Sequence, residues 1–138
     1  MSKLFRIRKN EEGQSLVEFA LIIPIFLLLL FGLIQFAVIL NAQITVTAAA
    51  REGARIAVLG VSETEIKTRV KDSASTGILL NEITNDDISI STPEGTGKGK
   101  PISVEVNATV QIIVPFLNGI LGGGGDFPLY SKAVMSLE

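Results

Sequence analysis

GQSLVEFALIIPIFLLLLFGLIQFAVILNAQITVTAAAREGARIAVLG, residues 13–60, is the stretch that decides the architecture of this chain. Glu18 is its only charge before Arg51, and Leu16 to Leu40 is almost wholly apolar. A bilayer core of about 30 Å needs about 20 apolar residues of helix, so this run can span a membrane with some tilt. It exceeds the apolar region of a secretory signal, which is about 7–15 residues. A buried core helix is the alternative, but helices of ordinary domains rarely stay apolar on every face over such a length.

Glu18 stands out in this run. A carboxylate at the bilayer centre costs on the order of 2.5–3.5 kcal/mol, and intramembrane acids are usually functional. Near the end of a span the cost falls, because the group reaches the headgroups. A tolerated interfacial Glu and a functional one are both compatible with the position alone. The context adds more. Gly13 precedes Gln14, Glu18 is the fifth residue counted from Gln14, and a short basic segment lies ahead of Gly13.

GQSLVEFALIIP resembles the processing site of type IV prepilin-like proteins, where a dedicated peptidase cuts after a Gly and a Glu stands at the fifth mature residue. Val17-Glu18-Phe19-Ala20 followed by Pro24, then Ala49-Ala50-Arg51-Glu52-Gly53-Ala54-Arg55, is similar to the TadE/TadG-like family of minor pilins, or pseudopilins, of the tight-adherence (Tad/Flp) pilus. The resemblance is specific over residues 13–60. Phe19 departs from it, since many such sites carry Tyr there, and the chain lacks the ectodomain cysteines of some relatives.

The resemblance implies a precursor cut between Gly13 and Gln14, with Glu18 as the assembly residue. It implies prepilin peptidase, other Tad pilins and assembly platform proteins as partners, in a prokaryotic cytoplasmic membrane or at the pilus surface. The implied role is in Tad pilus assembly, and so in adhesion and surface attachment. Two rivals stay open: an uncleaved, membrane-anchored binding module, and a filament-forming major pilin.

The rest of the chain limits the function classes. With 138 residues, one small domain accompanies the membrane segment. A formal charge of −2 gives no electrostatic support to nucleic-acid binding. There is no Cys and no His, which removes the usual neutral-pH general base and the commonest metal ligand. No catalytic residue, metal, cofactor or small-molecule substrate is expected, and no enzyme.

Lys3, Arg6, Arg8 and Lys9 flank the span on its N-terminal side, and acids outnumber bases after residue 56. Basic flanks stay cytoplasmic, so Ser2 is expected inside and Glu138 outside. The chain then divides into a basic leader (1–13), a membrane-spanning and projecting helix (14–60) and an extracytoplasmic α+β domain (61–138).

The helix is expected from about Ser15 to Leu59, leaving the bilayer beyond Leu40, where Asn41, Gln43, Thr45 and Thr47 appear. Pro24 leaves the carbonyl of Ala20 without a partner, so a kink is expected, and Gly32 is a second soft spot. Both would let the helix deform on leaving lipid. Val46, Ala50, Gly53, Ala54, Ala57 and Val58 share a face. Ala49, Gly53 and Ala57 permit close approach of another backbone, from the chain's own ectodomain or from another subunit. Gly60 is a natural helix stop.

Ser62-Glu63-Thr64-Glu65 has the spacing of a capping box and opens a second helix over about 63–75, with Ile66, Val70 and Ala74 inward and Gly77 at its end. Ile78, Leu79 and Leu80 are expected to plug the core. Ile88 and Ile90 mark a first strand. Ile102, Val104, Val106, Ala108, Val110 and Ile112 alternate with polar residues as a long second strand. Leu129, Ala133, Met135 and Leu137 mark a third, from about 129 to 137. A flexible hairpin loop, 93–100, joins the first two strands. Phe116, Leu117, Ile120 and Leu121 form either a covering loop or an exposed contact tip. The expected fold is pilin-like α+β: a long N-terminal helix, a second helix and a three-stranded antiparallel sheet.

Three apparent motifs carry no chemistry. Residues 95–100 superficially suggest a phosphate loop, but Glu94 replaces its first Gly and Pro101 its hydroxyl residue. Asn85-Asp86-Asp87 lacks calcium-loop spacing. Asn107-Ala108-Thr109 is a glycosylation sequon only by letters, in mid-strand.

Overall fold

The computed structural model describes residues 11–92, 99–114, 119 and 125–136. Within them the chain forms α1 (Glu11–Ala57), α2 (Glu63–Ala74), β1 (Ile88–Ser91), β2 (Pro101–Gln111) and β3 (Asp126–Ser136). The strands make one antiparallel sheet in the order β1-β2-β3. The α+β fold with one membrane-length helix is therefore as the patterning indicates.

α1 runs for 47 residues, about 70 Å at 1.5 Å per residue. Its described part opens at Glu11, ahead of the expected Ser15, so Gly13 lies within the helix. Pro24 and Gly32 are within the continuous helix. At the far end Leu59 N donates to Ile56 O and Gly60 N to Ala57 O. Gly60 then takes φ 76° and turns the chain back, the left-handed stop that a Cβ would oppose.

Ser62 caps α2, its hydroxyl accepting from Glu65 N at 3.3 Å. Ile66, Val70 and Ala74 are buried, as their spacing requires. The sheet's inner face is Val104, Val106, Ala108 and Val110 from β2 with Leu129 and Ala133 from β3, all buried. It packs on α1, whose contribution is mostly small: Ala42, Val46, Ala49, Ala50, Ala54 and Ala57. Small residues let the helix axis approach the sheet, so the core is narrow and backbone-close. Glu105 lies opposite Lys132 on the outer face, 2.7 Å apart.

Two expectations about the core change. Ile78 and Leu79 do not plug it: they are 56% and 37% exposed. Leu80 is partly buried and bridges to Val110, but the fully buried residue of this connection is Ile83. The reason is that Leu79 adopts φ 56° and Gln111 N donates to its carbonyl, so the chain turns outward before it turns in. β3 also starts earlier than expected, at Asp126. Phe116, Leu117, Ile120 and Leu121, the 93–98 part of the hairpin loop, and Leu137 lie outside the described residues.

Candidate functional site

The residues singled out by sequence fall on one helix but in two environments. From Leu16 to Ile34 every large apolar side chain except Ile23 is exposed among the described residues. From Gln35 to Ala57 one face is buried under the sheet and α2.

Gly13, Gln14 and Glu18 sit at the start of the first half. Gln14 and Glu18 are exposed, and Gln14 Nε2 donates to Glu18 Oε1 at 3.2 Å. The i,i+4 spacing puts them on one face, one turn apart. Any group attached at residue 14, an α-amine included, would thus lie within a turn of the Glu18 carboxylate. Pro24 and Gly32 are in the exposed apolar part, and a Cβ at Gly32 would meet nothing within 4 Å. Gly32 therefore answers no packing demand among the described residues.

Ala49, Gly53 and Ala57 are in the second half, where all three are buried. A Cβ on Gly53 would stand 2.5 Å from Val70 Cγ2 and 3.2 Å from Val104 Cγ1. α2 and β2 both close on this one residue. The small-residue stripe is used by the chain's own ectodomain. Ile56 is buried as well, a residue the face assignment omitted.

Gln35 is the residue that sequence reasoning missed. It is 1% exposed. Its Nε2 donates to Gln111 O at 3.3 Å, and its Oε1 accepts from Ile113 N at 2.8 Å. One amide thereby satisfies a donor and an acceptor at the end of β2. A lone amide inside an otherwise apolar run was the available signal, since a buried amide needs partners. Ectodomain packing consequently begins at Gln35, six residues before Asn41, where the polarity changes. Gln43 continues the seam, donating to Tyr130 O at 3.1 Å.

Two exposed ion pairs shift the groups that form them. Arg55 donates twice to Glu52, each at 2.8 Å. This holds the Glu52 carboxyl below its ordinary range and the Arg55 guanidinium above its own. The Lys132 hydrogen bond does the same to Glu105, with Lys132 raised in turn. Among the described residues no group of His, Cys, Asp and Glu could hold a metal ion. A hollow of about 370 Å³ beside α2 is lined by Lys71, Asp72, Ser75, Asn81 and Glu82 among others. It includes none of Gly13, Gln14, Glu18, Pro24, Gly32, Ala49, Gly53 and Ala57.

Residues 13–55 match the family model described as TadE-like protein. The match bears out the resemblance to the TadE/TadG-like family of Tad pilus systems. It opens at Gly13 and closes at Arg55, so the TadE-like part is α1 in both its environments. α2 and the sheet lie outside it. No curated protein and no solved structure matches the chain significantly. Among the described residues one apolar helix near the N-terminus has spanning length and is 6% buried in its most apolar window, which fits a single-pass membrane protein of a Tad system.

Proposed function

We propose that this chain is a minor pilin of the Tad pilus, made as a membrane precursor and trimmed between Gly13 and Gln14 by prepilin peptidase. It is anchored in the cytoplasmic membrane with Ser2 inside and Glu138 outside. It joins other pilins and the assembly platform to support piliation, and hence adhesion. The observation that carries this reading is where the TadE-like match begins: at Gly13, the residue ahead of the proposed cut.

Glu18 is the assembly residue in this reading. Cleavage would give Gln14 an α-amine, largely positive at neutral pH with its usual pKa near 8. An exposed ion pair contributes only about 0–1 kcal/mol. Among packed apolar helices an unpartnered carboxylate instead carries a penalty of several kcal/mol. Registers in which Glu18 meets an amine, its own or a neighbour's, are therefore selected. Pro24 and Gly32 ease the helix's passage from lipid into an assembly.

Glu18→Val tests the proposal. The variant should insert and lose residues 1–13, seen by intact mass, yet fail to crosslink to other pilins and fail to support piliation. Normal pilus numbers would remove Glu18 from assembly. Retention of residues 1–13 in the wild-type protein would favour the anchored binding module.

A further inference from the structure

We propose that the lower edge of the ectodomain, formed by Ile113 and Leu79 with Ile78 beside them, is seated in the bilayer that α1 spans, so that the domain rests on lipid rather than standing clear of it. This rests on reading α1 as a membrane span.

Depth follows from the hydrogen bonds. Leu16 to Ile34 covers about 28 Å of helix at 1.5 Å per residue, close to the roughly 30 Å of a hydrocarbon core. Gln35 then lies at the far boundary. If the apolar run were inserted further, to Leu40, Gln35 would be deeper still. The end of β2 is tied to that level twice, through Gln111 O and Ile113 N on the Gln35 amide. Leu79 is tied to it at one remove, because its carbonyl accepts from Gln111 N. Ile78 N donates to Asn41 Oδ1, six residues and about 9 Å above Gln35.

What is held at and just above this level is apolar and, among the described residues, exposed. Ile113 is 53% exposed, Ile78 56% and Leu79 37%. Leu79 is also the one non-glycine residue with positive φ among those described. That backbone is strained for a residue with a Cβ and persists only where the surroundings hold it. Here its effect is to turn a leucine outward at the membrane boundary. Ile34 and Phe36, the helix residues next to Gln35, are exposed apolar side chains at the same level. Headgroup layers extend about 5–8 Å beyond the core on each side. Ile113 and Leu79 thus meet the edge of the hydrocarbon, and Ile78, about 9 Å up, lies just past the outer limit of the headgroups. The occupant is the lipid of the same bilayer.

The chain has no cysteine, so single nitroxide labels can be placed cleanly. Full-length protein carrying Ile25→Cys, Ile113→Cys or Ser89→Cys, each at an exposed position, is reconstituted in nanodiscs of phosphatidylcholine and phosphatidylglycerol. Circular dichroism checks that each folds. Accessibility to molecular oxygen, which concentrates in lipid, is compared with accessibility to a water-soluble nickel chelate. The label at 113 should shift from the value at 89 toward that at 25. A value at 113 equal to that at 89, with 25 deep in lipid, overturns the seated edge and leaves the anchor intact. A water-accessible label at 25 overturns the anchor and this inference together.

Discussion

The two halves of α1 are continuous in backbone and opposite in what they ask of their side chains. Residues 14–34 expose large apolar side chains all round. Residues 35–57 bury Ala, Val and Gly on one face and leave Arg51 and Arg55 exposed on the other. Lipid accepts bulk on any face, because hydrocarbon is a solvent without fixed shape. A sheet with side chains already in place accepts only what fits between them. The same helix therefore reads as uniform in one half and one-sided in the other, with Gln35 at the junction.

The strongest break in this comparison puts a charge into the lower half. Ile25→Arg should cost about 2.5–3.5 kcal/mol of insertion near the bilayer centre while leaving the ectodomain folded. Membrane fractionation beside limited proteolysis of the domain checks both parts. Gly53→Leu is its counterpart in the upper half. Its side chain would drive into Val70 and Val104, and overpacking costs about 1–3 kcal/mol. The domain's Tm should fall by roughly 5–20 °C, read by thermal unfolding in detergent, with membrane retention unchanged.

Gln35→Leu tests the junction itself. Leucine suits lipid and removes nothing from the span, yet leaves Gln111 O and Ile113 N without a side-chain partner, at about 1–3 kcal/mol. Hydrogen exchange at Ile113 should speed up while the rest of the sheet stays protected. The smallest effect is electrostatic. The Glu105 carboxyl is lowered by Lys132, so its contribution is present above its unfolded pKa and is lost as pH falls through its folded one. Lys132 is raised, so its contribution is present below its unfolded pKa and is lost as pH rises through its folded one. Glu105→Gln should flatten the acid side of the stability profile slightly, as expected of an exposed pair.

Residue by residue, the sequence by itself determined the elements. The apolar run, the Ser62 cap, the Gly60 stop and the period-two pattern of β2 are local or single-face signals, and each has a structure that few other patterns share. The family resemblance lay in α1 for the same reason, since the matched residues are contiguous. Only the tertiary structure decided the partners. Ala49, Gly53 and Ala57 were legible as a close-packing stripe, but which backbone approached them was not, because a small residue specifies distance and not identity. Ile78 and Leu79 looked like core residues by composition, and a left-handed turn at Leu79 sent them outward while Ile83 went in. Gln35 was hidden among its neighbours because its meaning is a long-range one: its amide answers to backbone groups 76 and 78 residues away. Periodicity along a helix carries no information about contacts at that separation.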